Sequence, residues 1–127
     1  VEVGPKVKGF KKGDRVAFLG KNHPLYFEVL LGAAKLGAVM TPVNWRLAPP
    51  EVAYIIDNCQ AEVVFVGEGF AGVVEQVRAE TPRVKQVIGI DAPDCSGPDY
   101  RSWRNGFSSE PVAIAVGLDD DALQLYT

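Results

Sequence analysis

The feature that most constrains the fold of this chain is a set of short apolar segments in which hydrophobic and polar residues do not alternate. A strand with one face in water alternates between the two residue types, whereas a strand covered on both faces does not. Strands covered on both faces belong to parallel sheets, so we predict an open, mostly parallel sheet. The five predicted strands are residues 16–19, 38–43, 63–66, 87–90 and 123–126.

Helical patterns separate the first four predicted strands. Apolar residues recur at helical spacing over residues 50–59 and again over residues 70–80. Strands that alternate with helices form right-handed βαβ units, so the fold class is α/β with helices flanking the sheet. Residues 91–121 are rich in Pro, Gly, Ser and Asp and are expected to run over the surface, with one helical turn at residues 100–104.

The helix predicted over residues 24–36 differs from the other two. Apolar residues cover nearly its whole circumference, and only Glu28 and Lys35 are charged. A helix that is apolar on all sides is expected to be buried on all sides. One sheet covers a single side, so we expect more protein on the other, from the same chain or from a partner. Gly37 is well placed to end this helix in the left-handed conformation.

The composition excludes several classes of function. Thirteen Lys and Arg against 16 Asp and Glu give a net charge of −3, which argues against a dedicated nucleic-acid-binding protein. Two cysteines and one histidine exclude a disulfide-rich scaffold, a Cys-only zinc site and a multi-histidine metal site. No apolar run reaches the roughly 20 residues of a membrane-spanning helix. We therefore expect a cytoplasmic protein whose thiols are reduced.

One local motif has the spacing of a dinucleotide-binding fingerprint. Gly67, Gly69 and Gly72 follow a predicted strand in the pattern G-x-G-x-x-G, and Asp91 follows about 20 residues later. Such glycines let a pyrophosphate approach the backbone, and the acid would bind a ribose. Glu68 opposes this interpretation, because its carboxylate would repel the pyrophosphate. A stand-alone dinucleotide-binding domain stays open beside a simpler interpretation, in which the glycines only form a tight loop.

The other reactive residue types have ordinary structural interpretations. His23 precedes a predicted helix, which favours a capping or surface role over catalysis. Cys59 lies on an apolar helix face and is expected in the core, whereas Cys95 lies in a loop. A basic stretch and an acidic run are interpreted as solvated rather than as ligand sites. They are Lys6, Lys8, Lys11, Lys12 and Arg15, and residues 119–121.

Sequence blocks over most of the chain occur in the same order as in one enzyme family. They are residues 12–17 (KGDRVA), 19–24 (LGKNHP), 32–39 (GAAKLGAV), 41–51 (TPVNWRLAPPE) and 120–127 (DDALQLYT). In these blocks the chain resembles the AMP-forming acyl-CoA synthetases of the adenylate-forming superfamily. The Asn-x-Arg-Leu sequence at residues 44–47 is more similar to fatty-acyl and related acyl-CoA ligases than to the adenylation domains of peptide synthetases. Residues 1–11 do not resemble the lead-in helix of the family.

The resemblance implies an activity for the intact protein. Enzymes of this family use ATP and Mg²⁺ to convert a carboxylic acid, here a fatty acid, into an acyl-adenylate and then transfer the acyl group to CoA. Residues 1–127 would form part of the large N-terminal AMP-binding domain. A phosphate-binding loop would follow Thr127, which is the one residue assigned to nucleotide binding. No catalytic or metal-ligating residue is carried over, so we expect these 127 residues to be inactive alone.

The resemblance also implies partners. The intact protein would bind a carboxylic acid substrate and no nucleic acid, and the rest of its own chain would cover the helix at residues 24–36. A peripheral contact with a membrane surface and a homo-oligomer stay open. A third alternative is a non-catalytic binding module of the same fold, with a partner protein on the apolar helix.

Overall fold

The computed structural model describes residues 12–105 and 116–127, in which four parallel strands form one sheet. The strands are β1 (Arg15–Leu19), β2 (Val39–Val43), β3 (Val63–Gly67) and β4 (Gln86–Ile90). Their order across the sheet is β2-β1-β3-β4, and every neighbouring pair is parallel. In the register of the sheet, Val16 lies opposite Met40 on one side and Val63 on the other. The predicted open α/β architecture is confirmed.

Helices cover both faces of this sheet. They are α1 (Leu25–Lys35), α2 (Pro49–Asn58), α3 (Ala71–Gln76) and α4 (Tyr100–Asn105), with a short 3-10 turn at Arg78–Glu80. One face packs against α1 and α4, and the opposite face packs against α2 and α3. The helix predicted over residues 70–80 is therefore shorter than expected and ends in the 3-10 turn.

Each strand contributes to two separate cores. In β1, Val16 and Phe18 pack toward α1, whereas Ala17 and Leu19 pack toward α2. All four side chains are at most 4% exposed. Because neither face of the strand meets water, polar residues have no place in it, and this explains the apolar segments of the sequence.

Local sequence determines where the first two helices end or begin. The α2 helix begins at Pro49, whose missing N–H costs nothing at the first helical position. After α1, Gly37 adopts a left-handed conformation with φ of +71°. The Ala38 N–H donates to the Ala33 oxygen at 2.9 Å, and the Gly37 N–H donates to the Ala34 oxygen at 3.0 Å. This is a Schellman motif, and it confirms the predicted role of Gly37.

The strand predicted at residues 123–126 is wrong. Within residues 116–127, only Leu123 pairs with the sheet, through an isolated parallel bridge to Met40 of β2. The apolar residues of this segment also stay accessible, since Leu123 is 42% exposed and Leu125 is 66% exposed. Their sequence pattern predicted that these residues are buried, but no element in the described part of the chain covers them.

The α1 helix is not buried on all sides within the described residues. Val29 and Ala33 face the core, but Phe27 is 64% exposed and Leu31 is 62% exposed on the outer side. The sheet and α4 leave this side uncovered. More protein on the outer side of α1 stays a prediction.

The segment predicted to run over the surface contributes to the core. Tyr100 and Trp103 of α4 are 0% and 2% exposed, and both pack their rings against Phe65 of β3. Because Pro, Gly and Ser dominate the segment, the sequence did not indicate that these two aromatic residues are buried. The part of the segment at residues 106–115 lies outside the described residues.

Candidate functional site

The carboxyl ends of all four strands meet at one edge of the sheet. Open α/β sheets bind ligands outside this edge, near the strand from which the connections run in opposite directions. That strand is β1, which lies between β2 and β3. Two clefts lined by described residues open at this edge. The terminal cleft, of about 640 Å³, lies beside the end of β2 and residues 125–127. The switch-point cleft, of about 470 Å³, lies beyond β1, β3 and β4.

The terminal cleft contains Thr127, the residue assigned to nucleotide binding from the resemblance. Its walls come from the end of β2 at Pro42 and Asn44 and from the first turns of α2, which present Glu51 and Tyr54. Thr127 is exposed, so a ligand in the cleft can reach its hydroxyl. The assignment of Thr127 stays a prediction, and its position at the carboxyl edge is one that this fold class uses for ligands.

Backbone hydrogen bonds hold the segment that precedes Thr127 against β2. The Met40 N–H donates to the Ala122 oxygen at 3.0 Å, and the Gln124 N–H donates to the Met40 oxygen at 2.9 Å. The bridge is parallel, so the chain beyond it runs toward the carboxyl edge. This geometry explains how Thr127 reaches the terminal cleft.

The switch-point cleft contains the candidate dinucleotide fingerprint, but its backbone donors are already engaged. The Asp94 carboxylate accepts hydrogen bonds from the N–H groups of Gly69 and Ala71, each at 3.2 Å. These groups open α3 and would have received a pyrophosphate. A pyrophosphate would have to displace a carboxylate or lie beside one, which like charges disfavour.

Close packing and backbone conformation account for two of the three fingerprint glycines. A Cβ atom on Gly67 would lie 3.3 Å from the Cα atom of Gly20, so Gly67 allows two loops to approach closely. Gly69 has φ of +88°, which a side chain rarely tolerates, and it turns the chain between β3 and α3. Gly72 is exposed, and a Cβ atom there would meet no other element within 4 Å. These observations favour the tight-loop interpretation over the dinucleotide site.

Asp91 is also engaged rather than free for a ribose. Its carboxylate accepts a hydrogen bond from Arg101 and another from His23 Nε2 at 2.8 Å, and these two bonds hold the pKa of Asp91 below its ordinary value. The Leu25 N–H donates to His23 Nδ1 at 3.1 Å, so the proton of the neutral ring is on Nε2. His23 therefore fixes the start of α1, in agreement with the capping role predicted for it.

The structure places several of the remaining sequence candidates. Cys59 is 2% exposed in the α2-side core, and burial raises the pKa of its thiol. Lys12 pairs with Asp120 at 2.9 Å, and Arg15 donates to Gln124. Cys95 is half-buried in the loop after β4. The other basic candidates, Lys6, Lys8 and Lys11, lie outside the described residues.

Two classes of site are not found in the part of the chain that the structure describes. Over residues 12–105 and 116–127, no three His, Cys, Asp or Glu side chains are grouped so that they could hold a metal ion. In the same residues, no helix is long and apolar enough to cross a bilayer.

An aromatic and cationic group at the carboxyl edge was missed from the sequence. Lys21 Nζ lies 4.9 Å from the centre of the Trp45 ring, and the Arg46 guanidinium lies 4.4 Å from it. The ring of Phe70 packs against the same tryptophan at 5.9 Å. Cations close to an aromatic face are attracted by its electrons. The Trp45–Arg46 pair was a visible signal, but the approach of Lys21 and Phe70 from other loops was not.

The fold is an open α/β sheet with clefts at its carboxyl edge, and comparison with known proteins identifies its family. Residues 6–127 match the model of the AMP-binding enzyme family, so the chain belongs to that family. The chain is 38% identical over 122 residues to the long-chain-fatty-acid–CoA ligase FadD13 of Mycobacterium tuberculosis. It is 36% identical over 123 residues to the fatty acid–[acyl-carrier-protein] ligase ScoC of Streptomyces coeruleorubidus.

A solved structure shows the same fold. The N-terminal domain of FACL13 from Mycobacterium tuberculosis superimposes with a TM-score of 0.81 at 35% identity, over 94% of this chain and 29% of that one. The alignments cover 96% of this chain and 22% of ScoC, and 94% of this chain and 23% of FadD13. The chain therefore spans less than a quarter of the length of these curated relatives.

Proposed function

We propose that these residues are part of the large N-terminal domain of an AMP-forming ligase, which activates a fatty or related carboxylic acid with ATP and transfers the acyl group to CoA. The observation that carries the proposal is the family match over residues 6–127, together with relatives that are fatty acid ligases. Family membership favours an enzyme over a stand-alone dinucleotide-binding domain or a non-catalytic module. Membrane contact, homo-oligomer formation and a cytoplasmic location stay predictions.

The chemistry assigns a limited role to the described residues. A carboxylate is a poor electrophile. Attack of its oxygen on the α-phosphate of ATP releases pyrophosphate and gives an acyl-adenylate, and a thiol then attacks the acyl carbon of this adenylate with release of AMP. Such transfer depends mainly on positioning and on charge stabilisation. Mg²⁺ would supply charge stabilisation on the departing pyrophosphate. In the described residues, Thr127 at the terminal cleft would bind ATP phosphates, and the sheet and α2 would hold it there.

The acceptor thiol has two candidates. FadD13 is a CoA ligase, whereas ScoC is a ligase for an acyl carrier protein, and both are similar to this chain over nearly its full length. We propose CoA as the acceptor, as the resemblance implies. An acyl carrier protein presents the same kind of terminal thiol and is the second candidate.

The activity is tested on the full-length parent enzyme with ATP and a panel of short to long carboxylic acids. We expect AMP release that depends on the acid and acyl-thioester formation with CoA. Thioester formation only with an acyl carrier protein would support the second acceptor. Release of ADP, or AMP release independent of every acid, would contradict the proposal. These 127 residues alone should not form an acyl-adenylate, because Thr127 is the only assigned nucleotide contact.

Thr127 itself can be tested by substitution in the full-length enzyme. Thr127→Val removes the hydroxyl at nearly constant volume, and we expect kcat/KM for ATP to fall about tenfold or less, since one neutral hydrogen bond contributes roughly 1 kcal/mol. Thr127→Ser keeps the hydroxyl and should retain most of the activity. Equal activity of the Val variant and the wild type would exclude Thr127 from ATP binding.

A further inference from the structure

A chain of side-chain hydrogen bonds ties the residues just before Thr127 to two separate elements. The Arg15 guanidinium, at the start of β1, donates to Gln124 Oε1. Gln124 Nε2 donates to the Tyr126 hydroxyl at 3.2 Å. The Tyr126 hydroxyl donates to Asn58 Oδ1, at the end of α2, at 2.6 Å. We call these four residues the Arg15–Asn58 relay.

The two central residues of the relay, Gln124 and Tyr126, each accept one hydrogen bond and donate one within it. The Gln124 oxygen accepts and its nitrogen donates, so both ends of the amide are used. The Tyr126 hydroxyl accepts one bond and donates one, which is its full donor capacity. Binding of the carbonyl oxygen by Arg15, which only donates, fixes which end of the amide faces Tyr126.

In the segment that carries the relay, the polar side chains are more buried than the apolar side chain between them, which is the reverse of what a solvated segment is expected to show. Gln124 and Tyr126 are half-buried, and the Tyr126 ring packs against the core between the sheet and α2. Leu125 between them is 66% exposed. The polar side chains, rather than the apolar one, therefore connect this segment to the body of the domain.

Backbone bonding cannot replace the relay. The last backbone hydrogen bond of the segment is from the Gln124 N–H to the Met40 oxygen. Among the described residues, no backbone hydrogen bond holds residues 125–127. The polar tie nearest to Thr127 is thus the Tyr126 hydroxyl, one residue away.

We propose that the Arg15–Asn58 relay positions Thr127 for the phosphates of ATP, with Gln124 and Tyr126 as its positioning residues. The proposal rests on the proposed function, in which Thr127 binds ATP. Loss of the relay should weaken the handling of ATP while the binding of the acid and of CoA stays unchanged, because the relay ends beside Thr127 only.

The test compares three variants of the full-length enzyme. Gln124→Ala removes both bonds of the amide, and KM for ATP should rise about 25-fold, since loss of one bond of roughly 1 kcal/mol corresponds to about a fivefold change. Gln124→Glu keeps the bond from Arg15 but has no donor for Tyr126, and Tyr126→Phe keeps the ring without the hydroxyl. Gln124→Glu loses one bond and should raise KM for ATP about fivefold, whereas Tyr126→Phe loses two bonds and should raise it about 25-fold.

A double variant and a control make the outcome specific. Gln124→Ala and Tyr126→Phe both remove the Gln124–Tyr126 bond, so their combination should raise KM for ATP by less than the product of the single effects. Gln76→Ala, at an exposed position of α3, is the matched control and should match the wild type. Thermal melting is followed for every variant.

The results separate failure of the relay from failure of the proposed function. If the wild type shows acid-dependent AMP release and the relay variants behave like Gln76→Ala, the relay is overturned and the proposed function stands. It is also overturned if KM for ATP, acid and CoA change together with the melting temperature, which indicates a structural role only. A wild type without acid-dependent AMP release overturns both.

Discussion

At the scale of single residues, Gly97 leaves no room for a side chain. A Cβ atom there would lie 2.0 Å from the carbonyl oxygen of Val87, and backbone cannot move aside as a flexible side chain can. We expect Gly97→Ala to lower the free energy of unfolding by about 1–3 kcal/mol, as overpacked substitutions do. Urea unfolding measures this change.

Gly72 is the matched control for that substitution. It lies in α3, is exposed and has nothing within 4 Å of a Cβ atom. Gly72→Ala should raise the free energy of unfolding by up to about 1 kcal/mol, because alanine favours helix. If Gly97→Ala were as stable as Gly72→Ala, the loop after β4 would not lie against Val87 as described.

Single residues also show where sequence reasoning works and where it stops. The roles of Gly37 and His23 were predictable because each depends on neighbours within one or two turns of chain, and the burial of Cys59 was predictable from the helical spacing of apolar residues around it. Asp94 was not, since its partner Gly69 is 25 residues away in sequence. A carboxylate in a loop has many available partners until the fold brings two loops together.

At the scale of elements, Glu28 couples α1 to α4. Its carboxylate accepts hydrogen bonds from the Tyr100 hydroxyl at 3.0 Å and from Arg104 Nη1 at 2.8 Å. Burial alone would raise the pKa of Glu28, but the bonds from Arg104 and Tyr100 together outweigh it, and the pKa lies below its ordinary value. Burial and the Glu28 carboxylate raise the pKa of Tyr100 in turn.

This coupling predicts a pH dependence of stability. The pKa of Glu28 is lower in the folded state than its unfolded value of about 4.3. The ionised carboxylate therefore stabilises the folded state at pH values above about 4.3, and this stabilisation is lost as the pH falls through the folded pKa. Glu28 is 33% exposed, so solvent screening limits the effect, and we expect Glu28→Gln to cost about 1 kcal/mol at pH 7. The cost should shrink as the pH falls below the unfolded pKa and through the folded one.

Urea unfolding at several pH values tests this dependence, with Glu75→Gln as the control. Glu75 is exposed and pairs with Arg78 at 3.6 Å, an arrangement that contributes little to stability. The control should stay close to the wild type at every pH. A cost of Glu28→Gln that grows on acidification would contradict the direction of the pKa shift.

Four of the five predicted strands form, and the fifth does not. Four strands were predicted within one residue at each end because burial on both faces leaves a strong pattern. The segment at 123–126 carried the same pattern, but within the described residues it pairs with the sheet only through the single bridge from Leu123 to Met40. An apolar segment indicates that its side chains are buried in the folded protein, but it does not indicate which element covers them.

At the scale of the whole molecule, the fold was predictable and much of the candidate site was not. Alternating strands and helices indicate an open parallel sheet, and the sheet places Thr127 at its carboxyl edge. The Arg15–Asn58 relay joins residues up to 109 positions apart in sequence, so no local pattern could reveal it. The chain also spans only 22–23% of its curated relatives, and their remaining residues have no counterpart in the described structure.

The outer side of α1 gives a prediction for this chain produced on its own. Phe27 and Leu31 lie one helical turn apart and are 64% and 62% exposed, a paired apolar surface of the kind that marks interfaces. We expect the 127-residue chain to self-associate at low micromolar concentration. Light scattering and sedimentation measure the mass, and replacing Phe27 and Leu31 by lysine should shift the chain toward monomer.

The control for this prediction is Tyr54→Lys. Tyr54 is 63% exposed, close to the exposure of Phe27, but it lies on α2 at the opposite face of the sheet. If association runs through the outer side of α1, Tyr54→Lys should associate like the wild type, whereas Phe27→Lys should not. A wild-type chain that is monodisperse and melts cooperatively as a monomer would show that exposure of Phe27 and Leu31 is tolerated without a partner. Equal dissociation by Tyr54→Lys would place the contact on another surface.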